Sequence, residues 1–94
     1  MSNFCNSEEK SAIGISYGRK YFENAEKYVE KNEYKEAVDN YLHSILSDRK
    51  NILSYLGLAK AYKQLRKYDK ALKVLKKINI INPENPEILK EIAL

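Results

Sequence analysis

Apolar residues recur along this chain at intervals of three and four. Ile13, Tyr17, Tyr21, Ala25 and Tyr28 form one stripe down the side of a helix. Ser7, followed by Glu8 and Glu9, offers a cap and an acidic first turn for its start. Gly14 and Gly18 lie inside the stripe and weaken it by about 1 kcal/mol each. A break near Gly18 therefore competes with a continuous helix. "KNEY" then interrupts the pattern, and Asn32 tolerates the left-handed backbone that closes a helix. A second stripe runs through Ala37, Val38, Tyr41 and Ile45. A third runs through Tyr55, Leu58, Ala59, Tyr62 and Leu65, and a fourth through Tyr68, Ala71, Leu72, Leu75 and Ile78. "SDRKN" connects the second to the third, and "RK" connects the third to the fourth. Pro83 and Pro86 bracket the last turn, after which Ile88, Leu89 and Ile92 give the apolar side of a fifth helix.

The stripes repeat. Moved along by 34 residues, Tyr34 falls on Tyr68, Ala37 on Ala71 and Tyr41 on Leu75. Self-similarity at that length marks a stacked helical repeat. Tyr55, Leu58, Ala59, Tyr62, Ala71, Leu75 and Pro83 stand at the places of a pattern of a large aromatic, Leu, a small residue, Tyr, Ala, an aromatic and a closing Pro, with Leu75 at the second aromatic's place. Tyr21, Ala25, Tyr28, Ala37 and Tyr41 take the corresponding places one unit earlier. Over residues 18–94 the chain resembles the tetratricopeptide repeat family. The resemblance implies an all-α fold, a right-handed superhelical stack of helix-turn-helix repeats, with two hairpins and a terminal helix. The units are then an N-terminal segment at 1–17, a first repeat at 18–51, a second at 52–85, and a capping helix or the start of a truncated third repeat at 86–94. Small residues at Ala25, Ala37, Ala59 and Ala71 let the helices of each hairpin approach closely.

Three departures from the pattern predict local differences. Asn24 stands where the family prefers Leu, which puts a polar group at an inner position or leaves that position solvated. Arg49 replaces the closing Pro, which would let the second helix fray or run on. Arg66 occupies the tight turn where Gly is usual, and left-handed backbone there costs on the order of 1 kcal/mol.

Composition narrows the function classes. Gly and Pro number only three and two, which disfavours a sandwich or barrel. Cys5 is the single cysteine, so neither an internal disulfide nor a thiolate metal site can form. His43 is the single histidine and has no convergent catalytic or ligating partners in the sequence; a solvated surface histidine is the expectation. No Gly-rich phosphate loop occurs. We therefore expect no catalytic residues, no metal and no cofactor. No secretory leader and no membrane-length apolar run is visible, and a soluble cytoplasmic protein is the expectation. Six of the eight tyrosines, with Tyr68 as a seventh, fall at repeat-core positions, so packing accounts for them better than base stacking does.

Charge divides the two units. Residues 18–51 hold seven Lys/Arg and seven Asp/Glu; residues 52–85 hold eight Lys/Arg against Asp69 and Glu84, a sum of +6. Lys67, Lys70, Lys73 and Lys77 form a basic face there. A solvated helix face is the first reading of it, an acidic protein partner the second, and a nucleic-acid contact the third, disfavoured because no aromatics interleave the stripe.

In the resembled family the first helix of each hairpin lines a concave groove. The stripes facing it here contain Phe22, Glu26 and Val29 in one helix and Leu53, Leu56, Lys60 and Lys63 in the other. The apolar members sit on faces the hairpins do not need. A groove with an apolar floor, Glu on one side and Lys on the other suits a short protein or peptide segment. Self-association into a homo-oligomer through Phe22, Leu53 and Leu56 is the alternative. Family members that grip the carboxylate tails of chaperones use cations at set groove places; Phe22, Glu26, Gly57, Glu87 and Glu91 stand there in this chain, so such tails are not expected to bind. The fifth helix stops at "EIAL" in mid-pattern with no polar cap; a chain cut from a longer protein is the first expectation, and a short form whose last helix is the cap is the second.

Overall fold

The computed structural model describes residues 17–83 and residue 86. The helix start at Ser7, Ile13, Gly14, Cys5 and the fifth helix with Glu87 and Glu91 lie outside the described residues. Helix α1 covers described residues 17–30, α2 Tyr34–Ser47, α3 Ile52–Gln64 and α4 Tyr68–Ile81. Among the described residues there are four helices and no strand. The fold is all-α helical repeat hairpins, α2 packing on α3 and α3 on α4. Gly18 lies within α1 without interrupting it. A Cβ there would stand 3.2 Å from Ser47 Cβ and 3.4 Å from Ser44 carbonyl oxygen, so the glycine lets α1 pass close to the end of α2.

The two hairpin turns are built alike. Asn32 and Arg66 both have φ 61°. In the first turn Asn32 N–H donates to Val29 O and Glu33 N–H to Tyr28 O, each at 2.9 Å. In the second, Arg66 N–H donates to Lys63 O and Lys67 N–H to Tyr62 O, again at 2.9 Å. This paired bonding satisfies carbonyls that a helix end otherwise leaves bare. Asn32 suits the left-handed backbone, and its Oδ1 accepts from the Tyr34 hydroxyl at 2.9 Å. Arg66 has the Cβ that this conformation disfavours.

The connector between the hairpins is more ordered than its polar sequence suggests. Asp48 is extended and ends α2, its N–H bonded to Ser44 O, so Arg49 in place of proline neither frays the helix nor extends it. Asn51 then caps α3, its side chain accepting from Leu53 N–H at 3.1 Å and Ser54 N–H at 3.4 Å.

The four small contact residues are fully or nearly fully buried: Ala25, Ala37, Ala59 and Ala71 expose 2% or less. Around them pack Tyr41, Tyr55, Leu58, Leu75 and Ile78, also buried. Ser44 and Ser54 are buried too, and their hydroxyls share a 2.7 Å hydrogen bond between α2 and α3. Pairing makes this burial tolerable, since an unpaired hydroxyl there carries its whole desolvation cost. Asn24 is exposed, so the solvated form of that expectation holds. Two placements need correction. Tyr68 is 61% exposed and Leu72 is 39% exposed, so these are not core residues. They share the helical period of the core but sit where no described helix closes over them.

Candidate functional site: the groove between the first and third helices

Tyr41 organises the groove. It enters from α2, buried among α1, α2 and α3, with 1% of its surface exposed. The ring runs beneath Gly57 on α3: a Cβ on that glycine would fall within 2.7 Å of the hydroxyl oxygen and closer still to the ring. Only glycine leaves the ring this path. At its far end the hydroxyl donates to Glu26 Oε2 on α1 at 2.9 Å. The Tyr41 phenol is held well above its ordinary range near 10, first by burial, then by the hydrogen bond to Glu26 and that carboxylate's charge. It stays a neutral donor at physiological pH. Phe22 meets the same ring edge-on, with centroids 6.0 Å apart at 61°.

Above this arrangement lies a cavity of about 340 Å³. Phe22, Glu26 and Val29 line it from α1, Leu53, Leu56, Gly57 and Lys60 from α3, and Tyr41 from beneath. A second recess of about 380 Å³ shares Phe22 and Leu53 and adds Arg19, Glu23, Asp48 and Asn51. The two recesses thus meet along the Phe22–Leu53 ridge.

Six of the seven expected groove residues come together here: Phe22, Glu26, Val29, Leu53, Leu56 and Lys60. Lys63 is not among the lining residues. Their exposures differ from expectation. Leu53 is 62% exposed, whereas Leu56 is 6% exposed and belongs to the core. Phe22 and Val29 are half-buried against the core cluster. The hairpins therefore do need Leu56, and Leu53 is the apolar residue free of structural duty. The Tyr41–Glu26 pair is absent from the sequence reading because its members are 15 residues apart in different helices. The signal that points to it is Gly57, a lone glycine inside a strong helical stripe.

Lys70, Lys73 and Lys77 are exposed along α4, and Lys67 is exposed directly before it. Two of them have aromatic neighbours. Lys70 Nζ lies 5.8 Å from the Tyr62 ring centre, and Lys77 Nζ lies 6.0 Å from that of Tyr55. Two tyrosines of α3 thus underlie this face without interleaving the lysines, and Tyr55 is itself buried. Burial, and secondarily the charge of Asp39, raise the Tyr62 phenol above its ordinary value. His43 is exposed, as the sequence suggests, yet its ring stacks on Tyr21 with centroids 4.8 Å apart at 23°. No group of three His, Cys, Asp or Glu suited to a metal occurs among the described residues. No helix among them is long and apolar enough to cross a membrane.

Paired antiparallel helices, a repeating left-handed turn, and alanines at each close crossing define a helical-repeat protein with a side groove. Compared with known families, residues 28–90 match the tetratricopeptide repeat, and the chain belongs to that family. Tetratricopeptide repeats generally mediate protein–protein interaction, and the family is typically a non-enzymatic interaction module. No curated protein matches the chain.

Proposed function

We propose that this chain is a non-enzymatic binding module that holds a protein or peptide segment in the groove between α1 and α3. The observation that carries the reading is Leu53. It stands 62% exposed on the ridge between two recesses, beside the half-buried Phe22. Burying apolar surface of that kind is worth about 25 cal/mol per Å², so a partner segment that covers it gains from doing so. The test is a pull-down from lysate followed by direct titration of the recovered segment. Leu53→Glu should abolish binding while leaving the melting midpoint within about 1 °C, because the residue makes little core contact. Binding that survives Leu53→Glu would sink the groove reading. Leu56→Glu is unsuitable for this purpose, since its 6% exposure makes it a folding mutation.

Glu26 also argues against a C-terminal carboxylate tail, which it would repel. Titration with an acidic chaperone-tail peptide should show no micromolar binding. Self-association is the second reading. It is favoured by Leu46 and Ile80, which share a register position in the two hairpins and are 67% and 81% exposed. Sedimentation equilibrium separates the two: a dimer lost in Leu46→Glu but kept in Leu53→Glu supports association through these residues. The basic face of α4 is a weaker candidate for an acidic protein or nucleic acid. Lys70 and Lys77 lie over core tyrosines, and a structural role accounts for half of the four lysines.

A further inference from the structure

We propose that the groove selects a segment carrying an arginine beside an apolar anchor, and that Glu26, positioned by Tyr41, is the residue that reads it. The inference rests on the groove reading above and specifies the chemistry of the occupant. The neighbouring residues supply three independent reasons.

The first is the state of the carboxylate. Glu26 is exposed, yet one of its oxygens is tied to a buried phenol at 2.9 Å. A carboxylate has about four acceptor sites, and one phenol uses one of them. Holding the side chain in place removes much of the entropy that a flexible surface glutamate loses on pairing. The anchor is itself rigid: Tyr41 is held in the core, beneath Gly57.

The second reason is the surroundings. Glu26 shares its recess with Phe22, Val29, Leu53 and Leu56. A segment lying over these residues excludes water, and an ion pair formed there is less screened than one on an open surface. Phe22 adds an aromatic ring next to the carboxylate. A guanidinium can stack on such a ring while its N–H fork meets the carboxylate, whereas a lysine ammonium can satisfy only one of these geometries well.

The third reason is the charge along the groove. Across the Phe22–Leu53 ridge, the adjoining recess adds Glu23 and Asp48 against Arg19. Taken together, the two recesses present three carboxylates and two cations, Arg19 and Lys60. A segment with an excess of positive charge complements this lining, and an acidic one does not.

The probe is a library of randomised twelve-residue peptides displayed for selection on the intact chain. Wild-type protein is expected to enrich arginine within a few positions of Leu, Met or Phe. The best such peptide, resynthesised with citrulline for arginine, should bind roughly ten-fold more weakly, the range of one charge-assisted pair. Glu26→Gln should erase that difference between the two peptides. Tyr41→Phe keeps the ring and removes the tether. It should shrink the arginine-over-citrulline ratio while leaving affinity for the citrulline peptide unchanged, which a merely structural role for the hydroxyl would not do. Peptides that need Leu53 but show no arginine enrichment, or that are enriched in Asp and Glu, overturn this inference and leave the groove reading standing. Peptides indifferent to Leu53→Glu, or no selected peptide at all, overturn both. Glu26→Gln alters an exposed side chain, so an unchanged melting curve checks that lost discrimination is not lost folding.

Discussion

The two hairpins are the same device with different fittings. Their turns are superposable in bonding, each with a residue at φ 61° and the same pair of 2.9 Å hydrogen bonds. Their aromatic positions also correspond. Tyr21 in the first becomes Tyr55 in the second, and His43, which stacks on Tyr21, becomes Lys77, which lies over Tyr55. At the buried face, however, they part. The first hairpin places Tyr41 and Ser44 where the second places Leu75 and Ile78, all four of them buried. At these two positions α2 is polar where α4 is apolar, and each polar group has found a partner on another helix, Ser54 of α3 for Ser44 and Glu26 of α1 for Tyr41. The lysines of α4 lie outside. Duplication conserves what closes a hairpin, and divergence falls on what the hairpin offers to its neighbours.

The shared part of the comparison breaks most violently at the small residues. Ala37→Arg or Ala71→Arg should each cost about 3 kcal/mol or more, since a bulky charge would be forced into a helix crossing with no partner. Loss of the cooperative thermal transition in both would show that the hairpins depend on the same contact; an unchanged midpoint in either would remove that hairpin from the scheme. Next in size is the serine pair. Ser44→Ala leaves the Ser54 hydroxyl unpaired and should cost about 1–3 kcal/mol, while the double Ser44→Ala, Ser54→Ala variant should cost less than the two single changes summed. Additive losses in denaturant unfolding would mean that the hydroxyls do not act as a pair.

The turns give an opposite sign. Arg66→Gly should stabilise by about 1 kcal/mol, because glycine adopts left-handed backbone without a Cβ clash. Asn32→Gly should change stability by only a few tenths, since Asn already suits the position. Equal effects at the two sites would erase the distinction drawn between them.

Alkaline titration examines Tyr41, which has no counterpart phenol in the second hairpin. Its pKa is raised in the folded state by burial and by Glu26. Its contribution is therefore fully present below the unfolded value near pH 10. Above that pH the unfolded chain ionises first and stability falls. Tyr41→Phe should flatten this alkaline decline, at the expense of the hydrogen bond; a decline of the same slope in the variant would assign it to other groups, Tyr62 first among them. The smallest expected effect concerns the rings. Lys77→Gln should cost about 0.5 kcal/mol at this exposed site, and His43→Lys should leave the first hairpin close to wild type at pH 7. A larger loss from His43→Lys would show that ring stacking, rather than a cation over tyrosine, is what the first hairpin uses.

Much of this fold is legible in the sequence because it is periodic. The helical stripes, the alanine crossings and the two left-handed turns each follow from spacing of three and four or from the recurrence at 34. The groove is legible by residue but not by depth. Leu53 and Leu56 look alike in a helical stripe, and only packing shows that one is 62% exposed and the other 6%. Tyr68 misleads for the converse reason. It shares a register with Tyr34, which packs against the core cluster, but no described helix closes over it. Ser44 and Ser54 are missed because polar residues do not register in an apolar pattern, although each is fully buried. Asn51 is missed in the same way: within "SDRKN" it looks like part of a polar connector, and its capping of α3 emerges only from the structure.

The passage of Tyr41 beneath Gly57 ties two events that are usually separate. The carboxylate that faces the groove is moored to a side chain wedged in the seam between the hairpins. Prying α3 from α2 would free the ring that holds that mooring in place, and loading the groove would tighten it. Linkage is reciprocal, so an occupant that relies on Glu26 must slow the opening of the seam by the same free energy that the closed seam lends to its capture. Amide exchange at Ser44 and Ile45 of α2, followed with and without an occupant, would then report recognition from buried residues that do not line the groove.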